Sequence, residues 1–170
     1  MIHTVYALEL AIQNEFDMRD MYLELARKFR DDRFLYEMWS HMSDAESGHA
    51  AILIGLRKQF EAGILHSEID VNVELLEMFR VRVHDFRTRL AEDELSKDEI
   101  FSTVLDLEDG EQEEALGELL QKLPPPLSEK IIAKLEGPVS GHLKILLDSI
   151  TATSRDSALL KRAKGLRTGW

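Results

Sequence analysis

One pattern occurs twice in this chain, and it restricts the fold more than any other feature. Glu15 lies 31 residues before Glu46 and 34 before His49, and Glu108 lies 34 residues before His142. The copies are offset by 93 residues, Glu15 onto Glu108 and His49 onto His142. Ser47-Gly48-His49 followed by Ile52-Leu53 matches Ser140-Gly141-His142 followed by Ile145-Leu146. A duplicated helical hairpin with Glu on one helix and Glu-x-x-His on the next builds an internal two-metal site in a four-helix bundle. The repeat fails at one place. Val139 stands where the second copy should carry the counterpart of Glu46.

The rest of the chain supports a helical reading. Leu8, Ala11, Ile12, Met18, Tyr22, Leu25, Ala26 and Phe29 recur at helical spacing over residues 4–30. After a turn at Asp31-Asp32, the spacing resumes over 33–61 with Leu35, Met38, Trp39, Met42, Ala45, Ile52, Leu53, Leu56 and Phe60. So short a link makes antiparallel neighbours, and Gly63 suits the end of the hairpin. A loop is expected over 64–71 and a crossover helix over 73–91. Ser96-Lys97-Asp98-Glu99 reads as a capping box. It is expected to open one long helix reaching about Lys122, stopped by Pro124-Pro125-Pro126. Gly110 lies within that helix at a cost of roughly 1 kcal/mol against Ala. Ser128 is expected to cap the fourth helix, and Gly137-Pro138 to kink or break it, because proline lacks the donor and clashes with the preceding turn. No segment alternates as a strand does. The expected organisation is repeat 1 over about 4–61, the crossover helix over about 73–91 and repeat 2 over about 98–150. These form one bundle over 1–150, followed by a basic tail over 151–170 that reads as a short helix.

Composition narrows the chemistry. The chain has 170 residues, enough for one apolar core. It has no cysteine, which removes disulfides, thiolate zinc sites, iron–sulfur clusters and rubredoxin-type centres. The net charge of −11 repels a nucleic-acid backbone. Residues 151–170 carry five bases and one acid, net +4, so the first 150 carry −15. That tail fits a helix packing on an acidic body better than a partner-binding segment. The N-terminus shows no signal-peptide pattern, and no apolar run approaches the roughly 20 residues of a membrane span. A cytoplasmic protein is expected.

The acids of the repeat sit on the wrong faces for solvent. Glu15 lies in an apolar stripe between Ile12 and Met18, and Glu46 and His49 lie between Met42 and Ile52-Leu53. Glu108 follows Val104-Leu105, with Glu111 one turn on, and His142 precedes Leu146. Unpartnered buried carboxylates are very costly. Several acids and two imidazoles converging inside one bundle call for a shared metal dication. A lone Glu-x-x-His is a weak motif, since most occurrences lie on surfaces; its duplication with partners at matched spacing is not. Glu108 and Glu111 also belong to an acidic run that solvent alone could explain. Trp39 reads as core, and His3, His41, His66 and His84 as surface residues.

On Glu15 with Tyr22 a heptad later, on Glu46-Ser47-Gly48-His49, and on Glu108 with Glu111 and His142, the chain resembles the rubrerythrin branch of the ferritin-like superfamily. The resemblance covers about residues 4–61 and 98–150. It implies an all-α, ferritin-like four-helix bundle of two repeated hairpins with an extra crossover helix. It implies a non-haem iron centre held by Glu15, Glu46, His49, Glu108, Glu111 and His142. Glu46 and Tyr22 are the catalytic candidates. Iron, as one or two ions, is the implied cofactor, with manganese or zinc as alternatives. Peroxide reduction or ferrous iron oxidation is the implied activity, in an oxidative-stress setting, with an external electron donor and a homodimer. Val139 and the missing rubredoxin module depart from the pattern. They point to one metal, or to an asymmetric pair in which Glu111 compensates. The competing reading is a non-catalytic scaffold or interaction protein that has lost a complete centre.

Overall fold

A computed structural model describes residues 2–65, 69, 71–108 and 111–167; the side chains at 2, 111–115, 134–143 and 166–167 lie outside that description. Seven helices follow one another among the described residues. They are α1 (Ile2–Lys28), α2 (Arg33–Glu61), α3 (Val73–Ala91), α4 (Lys97–Glu108), α5 (Glu111–Gln121), α6 (Pro125–Thr153) and α7 (Ser157–Arg167).

α1 and α2 form a long antiparallel hairpin. Asp32 caps α2, its carboxylate accepting from the Leu35 amide at 3.2 Å. Gly63, at φ 66°, follows the end of α2 in the left-handed region that glycine adopts without strain. The register across the hairpin sets Glu15 opposite Glu46. One heptad away it sets Tyr22 opposite Trp39, and those rings stack with centroids 5.7 Å apart.

α3 matches the expected crossover helix. Its Leu76, Phe79, Val83, Phe86 and Leu90 are buried at helical spacing. It runs parallel to α1, because its partners advance along both helices together. Leu76 O accepts from Asn14 at 3.0 Å, Arg80 pairs with Asp17 at 3.4 Å, and Arg87 grips Glu24 through two nitrogens.

The expected long helix from the capping box to about Lys122 is described as α4 and α5, and Asp109-Gly110 between them lie outside the described residues. Two expectations are corrected. Ser128 does not cap α6. The helix already begins at Pro125, where a missing amide costs nothing, and the Ser128 hydroxyl donates to Pro125 O at 3.0 Å. Gly137-Pro138 does not break α6, which continues as one helix to Thr153. α7 lays Leu159 and Ala163 into the core, and Arg162 reaches Asp106 of α4 at 2.5 Å.

The interior is divided. One apolar cluster gathers Met18, Tyr22, Leu25, Trp39, Met42, Phe79, Phe101 and Leu105 with others; a second gathers Leu8, Ile12, Leu53, Phe60, Leu119 and Ile131 with others. On α1 the passage from one cluster to the other is made at Asn14 and Glu15. On α2 it is made across Ser43, Glu46 and His49, and all five residues are buried. Each enclosed Leu or Phe contributes roughly 1.5–3 kcal/mol of transfer free energy. The polar belt between the clusters works against that gain unless its charges are compensated.

Candidate metal centre

The belt is built from helical register alone. Glu46 and His49 stand three residues apart on α2, hence on one face. Glu15 meets them from the facing stripe of α1. Solvent reaches 3% of Glu15, 4% of Glu46 and 6% of His49. His49 Nδ1 lies 2.9 Å from Glu46 Oε2 and 3.4 Å from Glu15 Oε2. One ligand atom from each of the three falls within 4.8 Å of the others. Glu108, at the end of α4, adjoins the group. It accepts a short hydrogen bond from the Tyr22 hydroxyl.

The electrostatics show what the group needs. Burial drives Glu46 well above the usual carboxylate range; the hydrogen bond from His49 opposes this, while the charges of Glu15 and Glu108 add to it. Glu108 is likewise raised by burial, against the pull of Tyr22 and His49. Burial alone would lower His49, but hydrogen bonds and charge from Glu15 and Glu46 outweigh it and push the imidazole up to about 10. Tyr22 is raised well above its ordinary value by burial, then by Glu108, Glu46 and Glu15. The belt therefore retains a proton among three ligand atoms, and that proton stands in for a cation. Two carboxylates and one imidazole make an oxygen–nitrogen donor set of the kind that holds iron, manganese or zinc. The residues fit a metal dication.

The rubrerythrin family model matches residues 7–124. The chain belongs to the rubrerythrin family. That match runs through Glu15, Tyr22, Glu46, His49, Glu108 and Glu111, and it ends before α6 begins. Searches of curated proteins and of solved structures returned no match.

Of the residues expected at a rubrerythrin centre, Glu15, Glu46 and His49 are brought together, with Glu108 and Tyr22 beside them. The side chains of Glu111, Val139 and His142 lie outside the described residues. His3, His41 and His84 are exposed, and His66 lies outside the described residues. One feature escaped the sequence reading. Trp39 was placed in the core, but its stacking on Tyr22 was not foreseen. The signal was available: Tyr22 is a heptad after Glu15, and Trp39 is a heptad before Glu46.

Proposed function

We propose that this rubrerythrin-family chain is a non-haem iron oxidoreductase that holds one iron ion well and acts on peroxide, with ferrous iron oxidation as the related activity. The buried Glu15–Glu46–His49 group carries the reading. Its chemistry suits a dication, and its position in the family's hairpin supports iron in particular. Glu15, Glu46 and His49 would hold the ion, with Glu108 and His142 completing the set. Bound iron would supply electron exchange with the oxidant.

The chain's own residues do the rest. The Tyr22 hydroxyl fixes the Glu108 carboxylate, so that ligand is oriented before any ion arrives. The apolar clusters on either side exclude bulk water and strengthen every charge interaction in the belt. Glu46 and His49 release a shared proton as a cation enters. An external electron donor is the partner this reading calls for, since these 170 residues hold no cysteine for a rubredoxin-type centre.

Metal-free protein titrated anaerobically with ferrous ion, then assayed for peroxide consumption with a surrogate donor, tests the reading. Iron bound at one per chain with turnover above free iron is the expected result. Failure to bind iron, manganese or zinc would leave the scaffold reading, which Val139 favours.

A further inference from the structure

The second apolar cluster does not close completely. Between α2 and the first two turns of α6 it opens into a groove of about 350 Å³, at the small end of the roughly 300–1,000 Å³ that small-molecule sites occupy. We propose that this groove binds a fatty acid, a single acyl chain with one carboxylate head. The site stands apart from the metal reading and does not rest on it.

The walls are apolar. Leu56 and Ile131 belong to the buried cluster, and Ile52 and Leu127 pack against it as half-buried flanks. Gly55 keeps the α2 wall open, because a Cβ placed there would meet nothing within 4 Å. The α6 wall lies past residue 124, where the match to the rubrerythrin family ends.

The charge pattern selects the head group. Lys130 is the one charged side chain on the lining among the described residues, where it is exposed and makes no ion pair. The chain carries 32 acids against 21 bases, yet among the described residues no carboxylate lines the groove. Gln59, also on the lining, has its carboxamide nitrogen 3.5 Å from Gly55 O. That contact is long for a hydrogen bond, so the amide can turn to donate to a ligand. Aliphatic walls accept an acyl chain, while a lone ammonium and an amide donor accept an anion at one end. One ammonium balances a monoanion. A dianionic phosphate head would leave charge uncompensated beside a body of net charge −11.

Isothermal titration of the intact chain with hexanoate, octanoate and decanoate tests the site. Decanoate should bind at one per chain. Each two-carbon step should tighten binding by up to about fifteenfold, since a fully buried methylene is worth roughly fourfold. Decanol should bind more weakly than decanoate, and decyltrimethylammonium more weakly still. Lys130→Gln should weaken decanoate by about two- to fivefold and leave decanol unchanged. Gly55→Phe puts a ring into the groove at a helical position where phenylalanine is the better helix former, and it should abolish binding. A diazirine analogue of decanoate, which needs no substitution, should crosslink within residues 51–59 and 127–131. No saturable decanoate binding would overturn the proposal. So would equal affinity for decyltrimethylammonium, crosslinks elsewhere, or binding untouched by Gly55→Phe in folded protein. A wild-type dimer that Gly55→Phe splits, with no decanoate bound, would overturn it in favour of a second copy of the chain.

Discussion

His49 Nδ1 lies 2.9 Å from Glu46 Oε2, one turn away on the same face of α2. Without metal, that contact holds a proton. His49 rises from its ordinary 6.5 to about 10, burial lifts Glu46 well above the usual carboxylate range, and burial raises Glu108 as well. Groups raised on folding bind more protons in the folded chain, so the stability they lend is lost as pH increases. The contribution of His49 is complete below 6.5 and gone above about 10. Metal-free protein should therefore lose denaturant resistance as pH climbs from the carboxylate range through that window. Metal-loaded protein should hold or gain resistance over the same range, because its ligands bind the ion only when deprotonated. Parallel slopes with and without metal would contradict this.

Glu46→Gln separates binding from stability. The amide removes one buried acid from a crowded group, and with it a carboxylate that helps hold the proton on His49. Metal-free Glu46→Gln should show a shallower fall in stability between pH 6.5 and about 10 than metal-free wild type. It should also bind ferrous or manganous ion more weakly, by about 10–100-fold or more, since even outer partners of metal ligands cost that much. A variant that melts lower and still binds normally would show that Glu46 is structural.

Val139→Glu restores the acid that the sequence repeat lacks. Iron content by elemental analysis should rise from one toward two per chain, and peroxide turnover with a surrogate donor should increase. Two tightly held irons in the wild type would show that another acid already bridges.

The capping box at the start of α4 has its own pH signature. Glu99 accepts from the Ser96 hydroxyl at 2.6 Å and from the Ser96 amide at 2.8 Å. Those bonds hold Glu99 below its ordinary value. A depressed carboxylate stabilises above the unfolded pKa and loses that effect as pH falls through the folded one. Glu99→Gln should remove this component of acid sensitivity without altering metal binding. Unchanged acid melting would mean that α4 starts independently of the box.

The parts of this molecule legible in sequence are those set by helical period. Glu15, Glu46 and His49 fall in apolar stripes, and a charged residue there has to face the interior. The bounds of α3 followed from Leu76, Phe79, Val83 and Phe86. The parts that were not legible depend on local backbone competition. Pro125 and Ser128 are both acceptable helix starters, and the earlier one prevails. Pro138 carries a local cost that the rest of a 29-residue helix absorbs. Trp39 was legible as apolar, but which ring it would face was decided by the register of α1 against α2.

The belt at Asn14, Glu15, Ser43, Glu46 and His49 divides the interior into two greasy compartments, and each packs against both arms of the first hairpin. Occupancy of the belt therefore bears on both compartments at once, because the buried acids lie between them. What fills that layer, a proton or an ion, stands where a keystone stands, with one half of the arch leaning on it from each side.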